Sequence, residues 1–201
     1  MNNLNESTMM RNICVIGGTS NIGEVICKSL SDSYNVDKTN SLTCDVRDEK
    51  KVIDYFQGID SLYGLVYCSA LKSEYDALDD PKELERLLSV NLFGAIYCLQ
   101  QAAKKIKIGK IVVIGSVDGT FGNYKKTMYA VSKAALHEYT RCFASQVKDR
   151  IEAICLVPGT ISSDNDKQAI ANFIKCFMDN SITNIHAQLI RMDKGNHTFP
   201  L

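Results

Sequence analysis

The stretch that decides the fold is ICVIGGTSNIG, residues 13–23, near the start of a chain of 201 residues. Its first four residues are apolar and mostly β-branched, which is typical of a strand buried on both faces of a sheet. Glycines follow immediately, and from Ile22 to Leu30 the apolar residues recur at helical spacing. A buried strand, a glycine turn and an amphipathic helix in this order predict the start of a βαβ unit.

The same alternation continues along the chain. Short apolar runs predict further buried strands at 65–67, 111–114, 154–157 and about 188–192, with another candidate at 34–36. Helical spacing recurs over 22–30, 81–105, 130–147 and 169–178. Repeated strand and helix predict an α/β fold, a three-layer doubly wound Rossmann fold with a mostly parallel central sheet.

The length suits one domain, which we place over residues 1–201, with a polar and flexible segment at 1–10. The second crossover is predicted to be shortened. Asp45 follows the candidate strand at 34–36 with room for a turn rather than a full helix.

Composition excludes several classes of function. The 23 basic and 23 acidic residues cancel, so nothing draws the whole chain to nucleic acid or to an anionic membrane. No apolar run approaches the roughly 18 residues of a membrane span, and the polar N-terminus does not resemble a signal peptide. The eight cysteines lie at least 13 residues apart and the three histidines are scattered, so we expect no metal site. We expect a cytoplasmic protein with reduced core thiols.

The glycine turn suits a dinucleotide. Glycine lets backbone approach a pyrophosphate, and a helix N-terminus offers free N–H groups and the positive end of its dipole. Asp37 lies 20 residues after Gly17, where an acidic side chain can bind the adenosine ribose hydroxyls. This favours NAD, although the neighbouring Lys38 could instead meet the 2′-phosphate of NADP. A plain glycine-rich turn and a solvated Asp37 are the alternatives.

Tyr129 and Lys133 lie four residues apart, on one face of a predicted helix. Ser116 ends the apolar run at 111–114 and would enter the cleft at the carboxyl ends of the strands. A nearby ammonium lowers the pKa of a phenol from its usual ~10, so Tyr129 could transfer a proton near neutral pH. A tyrosine and a lysine at this spacing usually form an ordinary helix face, so the prediction depends on their occurrence together with Ser116 and the glycine turn.

These motifs together resemble the short-chain dehydrogenase/reductase family, in the family's order, from about residue 11 to 196. The turn resembles the family's TGxxxGxG loop, Asp45-Val46 its pair beside the adenine, and 192–195 its terminal vDGG. The resemblance implies catalytic roles for Ser116, Tyr129, Lys133 and Asn91. It implies cofactor binding by Gly17, Thr19, Ser20, Asn21, Ile22, Gly23, Asp37, Asp45, Val46, Ser69, Tyr129, Lys133, Pro158, Gly159 and Ile161.

The chain departs from the family pattern in three places. Ile16 and Asn21 replace the leading threonine and the middle glycine of the loop. The family's NNAG stretch is Tyr67-Cys-Ser-Ala70, so the asparagine that braces the central strand is absent. Only 25 positions separate Ser163 from the final strand, which implies a reduced substrate lid and an open site, a bulky substrate or a site completed by a neighbouring subunit.

The function implied is that of an NAD- or NADP-dependent oxidoreductase. It would transfer hydride between the nicotinamide and a small-molecule carbonyl or secondary alcohol. The resemblance also implies a homodimer or homotetramer built on the helices at 81–105 and 130–147. The alternatives are a weakly active or inactive dinucleotide-binding or sensing protein and a structural subunit of the same fold.

Overall fold

Six parallel strands form the central sheet of the computed structural model, which describes residues 10–73 and 81–196. The strands are β1 (Asn12–Ile16), β2 (Asn35–Lys38), β3 (Leu62–Tyr67), β4 (Ile106–Ile114), β5 (Ile151–Pro158) and β6 (Leu189–Met192). They lie in the order β2-β1-β3-β4-β5-β6. The chain passes to one side of β1 and then crosses to the other, so its topological switch point lies between β1 and β3.

Helices cover both faces of this sheet. They are α1 (Asn21–Leu30), α2 (Glu49–Gln57), α3 (Pro81–Leu88), α4 (Ala95–Lys105), α5 (Asp118–Phe121), α6 (Thr127–Val147) and α7 (Asp164–Met178). Apolar side chains of α1 and α7 pack on one face of the sheet, and those of α2, α4 and α6 pack on the other. The predicted three-layer doubly wound fold is confirmed; the segment expected to be flexible lies outside the described residues except for Met10.

The second crossover contains the predicted turn and also α2, which the sequence analysis did not assign. Asp48 begins this helix, and its carboxylate accepts hydrogen bonds from the backbone N–H groups of Lys50 and Lys51. The buried side chains of α2 are Val52 and Phe56, one helical turn apart. The helix was missed because two buried positions make a weak periodic signal, although an aspartate cap before them is a recognisable start.

The predicted single helix at 81–105 is interrupted. A π-helical segment, Ser89–Gly94, separates α3 from α4 and contains Asn91. Gly94 provides the space for this segment, because a Cβ there would lie 2.7 Å from Val46 Cγ2 and 2.7 Å from Tyr67 Oη. Widened turns of this kind inside helices often occur at functional sites.

Tyr67 takes over a bracing role at the end of β3, where the family carries asparagine. Its side chain is fully buried, and its hydroxyl donates a hydrogen bond of 2.6 Å to the carbonyl oxygen of Val90. This bond ties the central strand to the π-helical segment. At the position of the family's asparagine the chain therefore carries a longer side chain that reaches the Val90 carbonyl.

The region after β5 agrees with a reduced lid. Ser163 and Asp166 form a capping box that begins α7, and α7 packs against α1 and the sheet rather than over the strand ends. Residues 179–188, all of them described, form turns that lead into β6 without a further helix. Six of the eight cysteines are buried, as expected for core thiols. None of the described helices is long and apolar enough to cross a membrane.

We predict that Tyr67→Phe lowers the free energy of unfolding by about 1–3 kcal/mol, because it leaves the buried Val90 carbonyl without its donor while keeping the ring. Urea denaturation monitored by circular dichroism measures the change. Tyr124→Phe is the control, since the Tyr124 side chain is largely exposed. Equal stability of the two variants would contradict the bracing role of Tyr67.

Candidate active site

A cavity of about 320 Å³ lies at the carboxyl ends of the strands, beside the switch point. Parallel α/β sheets bind ligands at this edge. The cavity is lined by residues from the glycine loop, the ends of β4 and β5, and α6, among them Ser20, Asn21, Ile22, Ser116, Tyr129, Lys133, Pro158, Gly159 and Ile161. The structure thus brings together predicted residues that lie up to 141 positions apart in the sequence.

The glycine loop has the shape that a phosphate-binding turn requires. Gly17 has φ of +80°, and a Cβ there would lie 2.6 Å from Ser69 Oγ, which places Ser69 directly behind the loop. A Cβ at Gly23 would lie 2.3 Å from the Gly17 carbonyl oxygen. Thr19 is exposed on the same turn. Close backbone packing of this kind fits a dinucleotide pyrophosphate at the start of α1.

The first turn of α1 supplies the donors for such an anion. The Ser20 hydroxyl caps the helix by accepting the N–H of Gly23, and the Ser20 carbonyl accepts the N–H of Glu24. Asn21 and Ile22 line the cavity, and their N–H groups, in the first turn of α1, precede the intrahelical hydrogen bonds. Asn21 replaces a family glycine without a positive φ, so the substitution costs no backbone strain.

The end of β2 places Asp37 and Lys38 on opposite faces of the sheet. Asp37 accepts a hydrogen bond of 2.6 Å from the hydroxyl of Tyr55, on the α2 side. Lys38 lies on the α1 side, where a Cβ on Gly18 would be 2.6 Å from the Lys38 Cβ. Thr39 Oγ1 accepts the N–H of Gly17 at 3.3 Å. The structure therefore brings Lys38 and Thr39 to the glycine loop, whereas Asp37 is held by α2, and its contact with a ribose stays a prediction.

Asp45 and Val46 lie on the turn before α2 rather than in the cavity lining. Asp45 forms a two-point ion pair with Arg47, and the hydrogen bonds from Arg47 lower the pKa of this carboxyl to about 2. Val46 is buried against Gly94. Their proposed place beside the adenine stays a prediction.

Tyr129 and Ser116 meet in the cavity. Ser116 and Tyr129 line the same cavity, Ser116 lowers the pKa of the Tyr129 phenol, and the Ser116 hydroxyl oxygen accepts the backbone N–H of Asp118 at 3.2 Å. Both residues are buried. The bond from Asp118 orients the Ser116 side chain, and the serine and tyrosine hydroxyl groups belong to one cavity, where a carbonyl oxygen could receive a hydrogen bond from one and a proton from the other.

Lys133 is also buried, one helical turn beyond Tyr129. Its ammonium donates a hydrogen bond of 3.0 Å to the carbonyl oxygen of Ile114 and lies 5.9 Å from the centre of the Tyr129 ring. Burial lowers the pKa of Lys133 to about 8, because the apolar surroundings disfavour its charged form. An ammonium has three donors, so Lys133 can hold a further ligand such as the nicotinamide ribose.

One expectation about this pair is wrong in direction. We expected Lys133 to lower the pKa of Tyr129, but burial raises the pKa of Tyr129 to about 12, and the negative charge of Asp118 adds to this. The hydrogen bond from Ser116 lowers the pKa only in part. Lys133 is not among the groups that shift the pKa of Tyr129; its ammonium lies 5.9 Å from the centre of the ring and donates to the Ile114 carbonyl. The Tyr129 phenol is consequently neutral at physiological pH.

Asn91 does not line the cavity but hydrogen-bonds residues next to those that surround it. From the π-helical segment its side-chain amide accepts the N–H of Leu71 at 2.8 Å and donates to the Leu71 carbonyl at 3.0 Å and to Ser132 Oγ at 2.9 Å. It thereby connects the loop after β3 to α6, beside Tyr129 and Lys133. Its predicted part in a proton path stays a prediction.

The loop after β5 closes the far side of the cavity. Pro158 accepts the N–H of Val117, and Gly159 donates to the carbonyl of Met192, so β4, β5 and β6 are tied together at their ends. A Cβ at Gly159 would lie 3.0 Å from Asp193 Cβ, so the loop passes close to the motif at 192–195. Ile161 is partly buried against α7.

Sequence analysis did not assign Lys126 and Lys167 to the site, although both line the cavity with the exposed Lys72. Lys167 is paired with Asp164 on the same helix. Nothing in their local sequence distinguishes them from solvated surface lysines, because only the tertiary fold brings them to the cavity.

The fold and the site together define a Rossmann oxidoreductase, and the sequence comparisons agree. A sequence profile of the short chain dehydrogenase family matches residues 32–172. Carbonyl reductase family member 4 of Danio rerio is 33% identical over 184 residues, covering 78% of this chain and 78% of that protein. The 3-oxoacyl-[acyl-carrier-protein] reductase MabA of Mycobacterium tuberculosis is 29% identical over 174 residues, covering 77% and 70%.

Solved structures show the same fold. BdcA in complex with NADPH matches with a TM-score of 0.80 and 21% identity, covering 91% of this chain and 93% of that one. The structure of gox2181 matches with a TM-score of 0.81 and 19% identity, covering 92% and 95%. The chain belongs to the short-chain dehydrogenase/reductase family. It is an NAD(P)-dependent oxidoreductase.

The raised pKa of Tyr129 gives a direct spectroscopic prediction. Because burial disfavours the phenolate, the ultraviolet absorbance of wild type minus Tyr129→Phe should show no phenolate between pH 6 and pH 9, and it should appear only near pH 12. Tyr139→Phe on the same helix serves as the control. A phenolate that titrates near pH 7 in wild type and disappears with Tyr129 would show that the ammonium controls its acidity after all.

Proposed function

We propose that the chain works as a carbonyl reductase in which Tyr129 is the proton donor. The observation that carries this proposal is the buried, neutral Tyr129 phenol in the same cavity as Ser116. A protonated phenol is ready to give a proton to a developing alkoxide, as reduction demands, whereas oxidation of an alcohol would need the phenolate. Two of the relatives are named reductases, which is consistent with this direction.

The reaction follows from the positions of the side chains. The bound nicotinamide supplies the hydride. Ser116 donates a hydrogen bond to the carbonyl oxygen and stabilises the charge that develops there. Tyr129 transfers its proton to the same oxygen. Lys133 would hold the nicotinamide ribose with the ammonium donors that Ile114 leaves free.

The substrate we propose is a small molecule with a ketone and a bulky or polar remainder. Support comes from the short loop at 159–163 between β5 and α7, which lines the cavity and, within the described part of the chain, carries no helix over it. The exposed Lys72 and Lys126 lie at the cavity and would favour an acidic or polar substituent.

We also propose that the enzyme is a cytoplasmic homodimer or homotetramer. Phe93, just before α4, and Val131, on α6, are partly exposed apolar side chains, and they support self-association through these helices.

For the cofactor we propose NADPH rather than NADH, opposite to the preference suggested by the sequence. Lys38 lies beside Gly18 of the glycine loop, where a cation can pair with the 2′-phosphate. Asp37, which would favour the free ribose hydroxyls of NAD, is bonded instead to Tyr55.

Tyr129→Phe tests the reductase assignment. We expect kcat for a ketone substrate to fall by about 10² or more, because general acid catalysis typically contributes ~10²–10⁴. The dissociation constant of NADPH, measured by fluorescence, should stay within a factor of about 3. Tyr139→Phe is the matched control. Turnover retained in Tyr129→Phe would contradict the role, and binding of NADPH without oxidation by any ketone in wild type would favour a dinucleotide-sensing protein instead.

Lys38→Gln tests the cofactor proposal. Loss of the cation should raise KM for NADPH about tenfold and leave KM for NADH unchanged, because only NADPH carries the 2′-phosphate. Lys28→Gln, at an exposed position near the end of α1, is the control. A wild-type enzyme that prefers NADH, or a Lys38→Gln variant with unchanged KM for NADPH, would contradict the proposal.

A further inference from the structure

His137 lies on α6 one helical turn beyond Lys133 and is 4% exposed. Neither the family motifs nor the proposed proton transfer uses it. Its ring nevertheless contacts the strand end that carries Ser116, since the backbone N–H of Ser116 donates to His137 Nε2 at 3.3 Å. A buried histidine that touches the backbone of a catalytic serine needs an explanation.

The hydrogen-bond pattern of β4 explains why a partner is required. The N–H groups of Gly115 and Val117 donate to β5, to the carbonyls of Leu156 and Pro158. Alternation along the strand turns the Ser116 N–H the other way, toward β3, which has already ended at Tyr67. Ser116 is buried, so an unpaired N–H here would carry the full cost of desolvation.

Two side chains of α6 complete this unfinished edge of β4. Lys133 donates to the carbonyl oxygen of Ile114, and His137 accepts the N–H of Ser116. Ile114 and Ser116 are two residues apart on the strand and so share a side, while Lys133 and His137 are four apart on the helix and share a face. Helix α6, which carries Tyr129, is thereby fixed to the end of β4 by one donor, the Lys133 ammonium, and one acceptor, His137 Nε2.

The ring of His137 occupies a slot built from glycines. A Cβ at Gly115 would lie 2.4 Å from Nε2, and a Cβ at Gly119 would lie 2.9 Å from Cε1. Any other residue at either position would displace the ring. Burial, and to a smaller extent the neighbouring charges of Lys133 and Arg141, lower the pKa of His137 to about 4, so the ring is neutral and keeps its acceptor nitrogen. Cys155, beside Gly115, is a neutral thiol with a raised pKa.

We propose that His137 is a positioning residue for the reduction, which holds Ser116 in register with Tyr129 as a neutral Nδ1–H tautomer that accepts the Ser116 N–H. The inference rests on the proposed reductase function. Because His137 fixes the backbone and the Asp118 N–H holds the hydroxyl oxygen, Ser116 is kept in the cavity that it shares with Tyr129. Its effect falls on the chemical step and not on cofactor binding.

His137→Leu and His137→Gln test this role. Removal of the acceptor in His137→Leu should lower kcat about tenfold, since displacement of a catalytic group by an ångström can cost up to ~10²-fold. KM for NADPH should not change. Gln offers a neutral acceptor, so His137→Gln should restore kcat to within about threefold of wild type.

His186 provides a matched control. Its Nδ1 accepts the N–H of Ala153 at 3.1 Å, the same kind of contact, near the start of β5 and far from the strand ends. His186→Leu should lower the thermal midpoint as His137→Leu does, while kcat stays at the wild-type value. Equal kcat in the two leucine variants, or no rescue by Gln in a folded His137→Gln, would overturn the positioning role.

Nitrogen NMR of the wild-type protein supplies a readout that does not depend on turnover. We expect His137 to be a neutral Nδ1–H tautomer from pH 8 down to about pH 5, with a hydrogen bond from the Ser116 amide. An Nε2–H tautomer or an imidazolium would overturn this inference even in an active reductase. The expected tautomer in a chain that reduces no ketone would overturn the proposed function, and with it the catalytic purpose of the contact, but not the contact itself.

Discussion

A buried ammonium, that of Lys133, fixes the active helix to the sheet. Lys133 is 1% exposed, and its bond to the Ile114 carbonyl sets how far α6 stands from the end of β4. Burying a charge is costly, which the lowered pKa of Lys133 reflects, and structures keep such groups mainly where chemistry needs them. The position of Tyr129 against Ser116 depends on this docking, because Tyr129 is one turn earlier on the same helix.

Residues of other elements also help to hold α6 in this position. Asn91 ties the loop after β3 to Ser132 on α6, so the helix is held from the side as well as from the strand end. Tyr67 in turn fixes the π-helical segment that carries Asn91. The site is thus held together by hydrogen bonds between neighbouring helices, strands and loops. Tyr67, which departs from the family motif, belongs to this set of hydrogen bonds and does not line the cavity.

Sequence patterns were sufficient for the layer architecture and for the meeting of Ser116, Tyr129 and Lys133 in one cavity, because a strand end and a helix face follow from local periodicity. They were insufficient where the position of a side chain depends on strand pairing or on contacts between residues far apart in the sequence. The side of β2 on which Asp37 lies depends on strand pairing, and the effect of Lys133 on Tyr129 depends on where the ammonium finds its acceptor. The contact of His137 with Ser116 joins residues 21 positions apart and leaves no local signal.

The proposed chemistry requires that the hydride donor, Ser116 and Tyr129 converge on one carbonyl oxygen and its carbon. A crystal structure of the chain with NADPH tests this most directly. The account predicts the nicotinamide ring in the cavity between the Tyr129 and Ser116 hydroxyls and the loop at 158–161, with the Lys133 ammonium on the adjoining ribose. A ring bound outside this cavity, or a Tyr129 hydroxyl turned away from it, would contradict the account.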